Sequence, residues 1–291
     1  MTVNKKIAAV LMAVGLAATL AACGGNETDP GSTNTPAETS FAEGTTMATL
    51  NEAGAITIGT KFDQPLFGLM GPSGTPEGFD VEIGKIIAAE LGIAEADIKW
   101  EETVSQNREP FIQNGQVDIV IATYTINDTR KEVIDFAGPY YIAGQSFLVP
   151  KGNPQGITGP DKVGTNTVCT VTGSTSEKNI LEYVDAAKVI TLDKYSDCLE
   201  PIRTGEAQAL TTDNVILAGL VSGAPDEFEV IDSTFTEEPY GIGLKKDDTE
   251  FRNFINDVLE ASYKDGRWAA AWEKTAGTVL PVPEPPAVDR Y

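Results

Sequence analysis

The chain has 291 residues with 43 acidic and 21 basic side chains, which gives a formal net charge of −22 at pH 7. An acidic surface of this kind argues against binding to nucleic acid or to anionic lipid. The chain has no histidine, which removes the commonest general base and metal ligand, and with them most hydrolase mechanisms. We therefore expect a protein that is not an enzyme and that holds no metal and no cofactor.

The first segment of the chain has the layout of an export signal. Lys5 and Lys6 precede a weakly polar run from Ile7 to Ala22, as in a secretory signal peptide. The run is short for a bilayer span and rich in Ala and Gly, so a retained membrane anchor is the less favoured alternative. Cys23 comes directly after Leu20-Ala21-Ala22, and this segment resembles the lipobox of bacterial lipoproteins, whose cysteine is acylated. We therefore expect a palmitate-bearing protein on the outer face of the cell membrane.

The segment of residues 23–47 follows the predicted signal peptide, residues 1–22. It is rich in Gly, Ser, Thr, Pro, Asn and Glu and poor in apolar side chains. Such a composition cannot bury enough surface to fold. We therefore expect a flexible tether between the lipid and the folded part of the chain.

Apolar strands alternate with amphipathic helices in the next part of the chain. The segments Ala55–Gly59, Ile98–Glu101 and Val117–Ala122 are predicted strands. Phe79–Leu91 has helix-like apolar spacing, and a Gly- and Pro-rich loop, Phe62–Gly78, precedes it. This alternation predicts an α/β architecture with a mainly parallel sheet.

The same alternation begins again near residue 146. The predicted strands of this second unit are Ser146–Pro150, Thr167–Val171, Val189–Leu192, Ala207–Thr211 and Phe228–Ile231. A further strand, Glu238–Leu244, is followed by a long amphipathic helix from Thr249 to about Lys264. The polar, proline-rich segment 282–291 is expected to be irregular. Two α/β units with a final segment of different order suggest two lobes.

Cys169 and Cys198 remain once Cys23 is assigned to lipid. In an exported domain this pair predicts a disulfide, and two buried free thiols are the alternative. A disulfide here would close a loop of about 30 residues and contribute roughly 3 kcal/mol in the loop-entropy model.

Several motifs carry a resemblance to a known family. They are Gly78-Phe79-Asp80-Val81-Glu82-Ile83, Gly115-Gln116-Val117-Asp118-Ile119-Val120-Ile121, Thr125-Ile126-Asn127-Asp128-Thr129-Arg130, Val133-Ile134-Asp135-Phe136-Ala137-Gly138-Pro139-Tyr140 and Tyr240-Gly241-Ile242-Gly243-Leu244-Lys245-Lys246. In this order they resemble the polar amino-acid binding proteins of ABC transporters, solute-binding protein family 3. The lipobox, the segment Gly59–Pro65 and the cysteine pair are most similar to the glutamate-binding lipoproteins of actinobacterial importers.

The resemblance implies a periplasmic-binding-protein-like fold of type II, in which two hinge strands join two lobes that close over one ligand. Lobe 1 would comprise residues 48–143 and 238–281, and lobe 2 residues 144–237, with 282–291 as a polar tail. The disulfide would then lie within lobe 2. The implied partners are L-glutamate or a similar amino acid and a membrane permease, and the protein is expected to be a monomer.

The resemblance also implies ligand-binding residues. Arg130 matches the arginine that binds the ligand α-carboxylate, and a surface arginine is the alternative. The amide of Thr125 and the donors at Ser174 and Thr175, where a helix begins, would add to it. Asp213 matches the aspartate that binds the ligand ammonium group, and a helix N-cap is the alternative.

Further residues are implied beside these two groups. The Ala122 or Thr123 carbonyl and the Thr123 hydroxyl would share the ligand ammonium group. Lys61 falls where related proteins contact the ligand side chain, and its charge suits an acidic one. Arg108 could supply a second cation, cap its helix, or pair with Glu101 or Glu109.

An aromatic side chain near Pro65 often stacks on the ligand in this family. Asp63 lies there instead, so Phe62 or Phe67 would have to serve. Because of this departure, the sequence does not decide which aromatic side chain lines the site.

Other functions remain as alternatives. They are a binding protein for glutamine or another polar amino acid, an exported cyclohexadienyl dehydratase-like or murein-cleaving enzyme, and the ectodomain of a sensor. We expect the sensor to continue into a transmembrane helix and the murein-cleaving lyase to bring a further domain.

Overall fold

The computed structural model describes residues 34–291, so the predicted signal peptide and the lipidation at Cys23 lie outside the described residues. The fold is α/β with two lobes, as predicted. The α-helices are α1 Thr46–Ala53, α2 Phe79–Glu90, α3 Arg108–Gln113, α4 Asp128–Lys131, α5 Thr175–Ile180, α6 Leu199–Thr204, α7 Asn214–Ser222, α8 Thr249–Asp265 and α9 Arg267–Lys274. The strands are β1 Ile56–Thr60, β2 Asp63–Gln64, β3 Gly68–Met70, β4 Pro76–Glu77, β5 Ile98–Glu102, β6 Ile119–Val120, β7 Asp135–Ala143, β8 Gln145–Pro150, β9 Val168–Val171, β10 Val189–Leu192, β11 Ala209–Asp213, β12 Phe228–Val230 and β13 Glu238–Leu244. Within this part of the chain no helix is long and apolar enough to cross a membrane.

Two five-stranded sheets form the centres of the lobes. The sheet of lobe 1 has the order β5-β1-β6-β13-β7, and that of lobe 2 has the order β10-β9-β11-β8-β12. In lobe 1, β1 runs parallel to β5 and β6, whereas β13 runs antiparallel to β6 and β7. In lobe 2, β9 runs parallel to β10 and β11, whereas β8 runs antiparallel to β11 and β12. The expectation of a mainly parallel sheet is therefore wrong, because the strands that pass between the lobes run against their neighbours.

A third, small sheet lies in the loop between β1 and α2. It consists of β2, β3 and β4, paired antiparallel. The sequence predicts only a loop here, since strands of two or three residues are too short to show a period.

The chain crosses between the lobes twice, and the two crossings touch. One crossing is at Gly144, between β7 and β8, and the other is the segment between β12 and β13. A Cβ atom at Gly144 would lie 2.7 Å from the Cβ of Thr234 and 2.8 Å from the carbonyl oxygen of Thr236. A larger residue would therefore push the crossings apart. The amide of Gln145 donates to Oγ1 of Thr236 at 3.0 Å, which ties the two crossings together.

An aromatic core joins helices α2 and α9 to strand β13 in lobe 1. The Phe79 ring lies 5.5 Å from that of Trp268 and 5.1 Å from that of Trp272. Phe67 is wholly buried and packs edge-on against Phe79, Trp272 and Tyr240. The suggestion that Phe67 forms the aromatic wall of a ligand site is therefore wrong, because its ring is used in this core.

The predicted disulfide is present. Cys169 in β9 and Cys198 before α6 are bonded, with their Cα atoms 5.7 Å apart. Both sulfur-bearing residues are wholly buried, and both belong to lobe 2. The bond therefore ties a central strand of lobe 2 to the start of a helix without linking the two lobes.

Part of the predicted tether is packed on lobe 1. The amide of Ala37 donates to the carbonyl oxygen of Ala89 at 2.9 Å. The ring of Phe41 packs edge-on against Phe254, with 5.5 Å between centroids. Residues 37 and 41 thus contact lobe 1, while most of residues 35–44 are exposed, and the flexibility of the segment 23–47 stays a prediction.

The polar tail is irregular but lies along the edge strand β7. The Asp289 amide donates to the Gly138 carbonyl oxygen at 2.9 Å, and the Phe136 amide donates to the Tyr291 hydroxyl at 2.9 Å. The Tyr291 ring lies under two cations, with 4.2 Å from its centroid to the Arg252 guanidinium carbon and 4.0 Å to Lys131 Nζ. The tail thus covers backbone groups that an edge strand otherwise exposes.

Tyr291→Ala is expected to lower the free energy of unfolding by about 1–2 kcal/mol, because it removes a hydrogen bond and two cation–π contacts. Tyr183→Ala is the matched control, since Tyr183 and Tyr291 have the same exposed fraction, 45%. Tyr183 lies in lobe 2 against the ring of Phe235. Urea denaturation compares the variants, and an equal loss in both would show that the tail does not stabilise β7.

Candidate functional site

The segments that follow β5, β6, β9, β10 and β11 meet between the two lobes. They enclose a cavity lined by Ser105, Arg108, Thr123, Ser174, Thr175, Tyr195, Asp213 and Ile216. Arg108, Thr123, Ser174, Thr175 and Asp213 are among the residues that the sequence singles out. Lobe 1 supplies Arg108 and Thr123, and lobe 2 the other three. The cavity therefore depends on the two lobes lying together.

Thr123 is held in a strained backbone conformation by a buried carboxylate. Its φ of 45° is rare for a β-branched residue. Asp80, in the first turn of α2, is wholly buried, and its Oδ2 accepts from the Thr123 amide at 2.8 Å while its Oδ1 accepts from the Tyr140 hydroxyl at 2.7 Å. Thr123 Oγ1 also donates to Gln64 Oε1 at 3.0 Å. Burial raises the pKa of Asp80 to about 7.

Arg130 is buried at the junction of the lobes. One guanidinium nitrogen donates to the Thr125 carbonyl oxygen at 2.6 Å, and another donates to the Gly173 carbonyl oxygen of lobe 2 at 3.3 Å. Its Nε lies 3.1 Å from a carboxylate oxygen of Glu109. Burial and the neighbouring Arg108 lower the pKa of Arg130 to about 10, so it is still a cation at neutral pH. The alternative of a surface arginine is wrong.

The amide of Thr125 points to the side where Arg130 lies. Thr125 and Tyr240 form an antiparallel bridge, in which Ile126 N–H donates to Pro239 and Gly241 N–H donates to Tyr124. In such a pair the N–H and C=O of the central residue face away from the partner strand. The Thr125 carbonyl oxygen meets the Arg130 guanidinium there, and its amide faces the same way.

Arg108 is also buried beside the cavity and stacks on an aromatic ring. Its Nε donates to the Ser105 carbonyl oxygen and one terminal nitrogen to the Ala122 carbonyl oxygen, both at 3.2 Å. Its guanidinium carbon lies 4.2 Å from the centroid of Tyr124. Glu109 pairs with Arg130 instead, so the suggested pairing of Arg108 with Glu109 is wrong. The Ala122 carbonyl, predicted to face a ligand, already accepts one hydrogen bond.

Lys61 lies next to Arg108 and is almost wholly buried, with 3% of its surface exposed. Its Nζ donates to Ser105 Oγ at 2.9 Å. Burial, with a further contribution from Arg108, lowers the pKa of Lys61 to about 7. Among residues 34–291, no carboxylate oxygen lies within 4.0 Å of a side-chain nitrogen of Lys61 or Arg108. These two cations are therefore without an ion-pair partner in the described part of the chain.

Asp213 presents one satisfied and one unsatisfied oxygen. Its Oδ2 accepts from the Tyr240 hydroxyl at 2.6 Å, and its Oδ1 is buried without a hydrogen-bond partner among the described residues. The residue occupies the N-cap position of α7, as the alternative holds, but its side chain makes no capping bond, so the carboxylate is not used by the helix. Burial and the charge of Glu238 raise the pKa of Asp213 to about 7.

Ser174 and Thr175 begin helix α5 on the lobe 2 side of the cavity. The Ser174 hydroxyl accepts from the Glu177 amide at 2.9 Å and donates to the Val171 carbonyl oxygen at 2.7 Å. Ser174 is thus the N-cap, and its hydroxyl is occupied. The donors left for the cavity at this end are the first backbone amides of α5.

Several residues of the site are absent from the sequence-based prediction. Tyr195 lines the cavity, and its amide donates to Asp63 Oδ2 at 3.0 Å across the lobes. The lobes also meet where Gln106 Nε2 donates to Asp193 Oδ1 at 3.1 Å and where Lys194 pairs with Glu102. The alternation of the strands does not reveal these contacts, because each joins residues about 90 or more positions apart.

The charges of the cavity define what it can bind. Arg108 is the basic side chain that lines the cavity from lobe 1, with Lys61 and Arg130 buried nearby, and Asp213 lines it from lobe 2 with one unsatisfied oxygen. A small polar molecule with anionic groups and one cationic group fits this distribution. In the described part of the chain, no group of three or more acidic, cysteine or histidine side chains is placed to hold a metal ion.

The comparisons with known proteins agree on one family. Residues 56–278 match the bacterial extracellular solute-binding proteins, family 3. The glutamate-binding protein GluB of Corynebacterium glutamicum is 37% identical over 271 residues, which are 90% of this chain and 87% of GluB. The ABC transporter glutamine-binding protein GlnH of Bacillus subtilis is 38% identical over 231 residues, 79% of this chain and 84% of GlnH.

Solved structures show the same fold. The solute receptor for L-cysteine of Neisseria gonorrhoeae has a TM-score of 0.75 and 30% identity, covering 80% of this chain and 94% of the receptor. An ancestral amino acid-binding protein, described as a precursor of cyclohexadienyl dehydratase, has a TM-score of 0.73 and 30% identity, and the match covers 79% of this chain and 99% of the ancestral protein.

Asp80→Ala is expected to lower the free energy of unfolding by about 2–5 kcal/mol, because it leaves a buried amide and a buried hydroxyl without partners. Asp118→Ala is the matched control, since half-buried Asp118 accepts a single amide bond from Thr57 at 2.7 Å. Its expected loss is about 1 kcal/mol. Urea denaturation measures both, and equal losses would contradict a special role of Asp80 in holding Thr123.

Proposed function

The chain belongs to the bacterial extracellular solute-binding proteins of family 3, and on that premise we propose that it captures an acidic amino acid, L-glutamate first, for an ABC importer. The two lobes close over the ligand and present it to a membrane permease. In this proposal residues 48–143 and 238–281 form lobe 1 and residues 144–237 form lobe 2. Lipid on Cys23 holds the monomer at the outer face of the cell membrane.

The ligand α-carboxylate is assigned to Arg130. A guanidinium fork matches a carboxylate in two parallel hydrogen bonds, and the amide of Thr125 faces the same side. The helix that begins at Thr175 offers backbone amides from lobe 2. Arg130 already reaches Gly173 of lobe 2 at 3.3 Å, so a carboxylate bound here touches both lobes and favours the closed state.

The ligand ammonium group is assigned to Asp213. Its Oδ1 is a buried acceptor without a partner in the described residues, and it lies beside the same cavity as Thr123. The Thr123 hydroxyl and the carbonyl oxygens of Ala122 and Thr123 complete the acceptors. An ammonium group needs three acceptors, and this set supplies them.

The acidic side chain is inferred from Lys61 and Arg108, and this pair is the observation that carries the proposal. A buried cation without a counter-ion costs several kcal/mol. A ligand carboxylate near both would offset that cost, whereas a neutral amide would leave two cations unpaired. A lysine or arginine ligand would be repelled.

Glutamine is the second candidate, and it is favoured by the lowered pKa of Lys61. Burial lowers the pKa of Lys61 to about 7, so a fraction of the Lys61 side chains is neutral at neutral pH, and a neutral amine suits an amide. Sequence identity does not distinguish glutamate from glutamine as the ligand, because relatives named for the two amino acids are about equally similar to this chain, at 37% and 38%. Binding is favoured over catalysis because the family is one of solute-binding proteins.

Calorimetric titration with L-glutamate, L-aspartate, L-glutamine and L-arginine tests the substrate class. L-glutamate is expected to bind most tightly at pH 7, because it supplies a counter-ion to the cations beside the cavity. A preference for glutamine or arginine would overturn the acidic assignment.

Arg130→Ala is expected to weaken binding of every amino acid by at least 100-fold, since the α-carboxylate is common to all of them. Lys61→Ala is expected to weaken glutamate more than glutamine and so to erode the discrimination between them. Lys85→Ala is the control, because Lys85 pairs with Glu82 on α2 and lies outside the cavity. Near-normal affinity in Arg130→Ala would contradict the placement of the α-carboxylate.

The pH dependence of affinity distinguishes the two candidates. Asp213, with a pKa of about 7, must be ionised to accept an ammonium group, so affinity falls as pH drops below 7. Lys61, with a pKa of about 7, must be protonated to pair with a carboxylate, so affinity for glutamate also falls as pH rises above 7. On each side of pH 7, the change in affinity approaches about tenfold per pH unit.

Titrations between pH 5 and 9 should therefore give a maximum near pH 7 for glutamate if glutamate is the ligand. Glutamine should show only the fall on the acid side. A glutamate affinity that keeps rising to pH 9 would exclude a role for protonated Lys61.

A further inference from the structure

Strand β13 enters lobe 1 directly after the second crossing, and it brings two polar side chains behind the cavity. Glu238 and Tyr240 are two residues apart, so they share one face of the strand. Glu238 has 2% of its surface exposed and Tyr240 has none. Tyr240 is paired across the sheet with Tyr141 of β7. Neither Glu238 nor Tyr240 lines the cavity itself.

Tyr240 reaches from this strand to lobe 2. Its hydroxyl donates to Asp213 Oδ2 at 2.6 Å, and burial beside Asp213 raises the pKa of Tyr240 well above its usual value. The phenol therefore stays protonated and can only serve this carboxylate as a donor. With Oδ2 held in this way, the unpartnered Oδ1 is the oxygen left for a ligand.

Glu238 acts on the same carboxylate with the opposite sign. Its Oε1 accepts from Asn179 Nδ2 at 3.1 Å and from Thr236 Oγ1 at 2.8 Å. Its Oε2 is buried with no hydrogen-bond partner in the part of the chain that the structure describes. After burial itself, the Glu238 charge is the largest influence that raises the pKa of Asp213.

We propose that Tyr240 and Glu238 are positioning residues of the ammonium site, which act through Asp213 from the strand at the crossing. The tyrosine orients and stabilises the aspartate carboxylate, and the glutamate repels it. A ligand ammonium group next to Asp213 relieves that repulsion, so part of its binding free energy is gained at the strand that joins the lobes. This inference rests on the proposed function, because it takes Asp213 to be the ammonium acceptor.

Other charged or titratable groups also face Asp213. Arg108 and Arg130 of lobe 1 lower its pKa, and Tyr141 of β7 and Tyr195 of lobe 2 lie within its electrostatic reach. All four are unchanged in the variants proposed below. A displaced acid limb of the binding curve therefore reports on Tyr240 or Glu238.

The test compares three conservative variants by calorimetry with the amino acid that the wild-type protein binds most tightly, between pH 5 and 8. Tyr240→Phe removes the donor and is expected to move the midpoint of the acid limb up by about one pH unit, which weakens binding roughly tenfold at pH 6. Glu238→Gln removes the repelling charge and is expected to move the midpoint down by a similar amount. The two shifts have opposite signs.

Tyr263→Phe is the matched control. Tyr263 is a half-buried tyrosine of lobe 1 whose hydroxyl donates to the Pro139 carbonyl oxygen at 3.1 Å, away from the cavity. The acid limb is expected to stay in place in this variant. Repeating the titrations in buffers of different ionisation enthalpy counts the protons released on binding, a number that lost packing alone does not change.

Opposite shifts with an unmoved control support the inference. Equal midpoints in all variants, or shifts of one sign in Tyr240→Phe and Glu238→Gln, would overturn it while leaving the amino-acid site in place. If Tyr240→Phe does not fold, Glu238→Gln still tests whether β13 acts on Asp213: a downward shift of the midpoint supports the inference, and an unmoved midpoint overturns it. Absence of amino-acid binding in the wild-type protein would instead overturn the proposed function.

Discussion

Removing an ionised group from water costs several kcal/mol unless opposite charges or hydrogen bonds replace the water. The cleft buries Lys61, Arg108 and Arg130 in lobe 1 and Asp213 in lobe 2. Arg130 forms an ion pair with Glu109, and Asp213 accepts a hydrogen bond from the Tyr240 hydroxyl. Lys61 and Arg108 donate hydrogen bonds only to neutral oxygens. Burial and the charge of Arg108 lower the pKa of Lys61, and the imbalance of charge is the basis on which an acidic ligand is proposed.

The same constraint accounts for the backbone around the cavity. Thr123 adopts an unfavourable φ because Asp80 and Gln64 hold it from the side of the core. Asp80 in turn is held by Tyr140 of β7, just as Asp213 is held by Tyr240 of β13. Two neighbouring strands of lobe 1 thus each provide a buried tyrosine for one carboxylate. The site is supported from the sheet rather than by its loops alone.

The sequence predicts the parts of this arrangement that are local or follow a motif. The strand and helix order, the disulfide, and the presence of Arg108, Thr123 and Asp213 at one cavity follow from periodicity, cysteine count and family motifs. The roles of Glu238 and Tyr240 do not, because a buried tyrosine–carboxylate pair joins residues that only the folded chain brings together. The docked tail and the packing of Phe41 are missed for a related reason, since composition describes a segment and not the surface it meets.

The contact between the two crossings has a mechanical consequence. Because Gly144 lies against Thr234 and Thr236, the two crossings meet at one place, and the proposed closure of the lobes would turn about it. The strands β5 and β10 lie at the edges of their sheets, about three strand spacings of roughly 4.8 Å from β13 and from β8, respectively. Displacement grows with distance from an axis of rotation. The contacts of Glu102 with Lys194 and of Gln106 with Asp193 lie far from the crossings and would therefore separate most when the lobes open. Tyr240 and Asp213 lie close to the crossings and would move little.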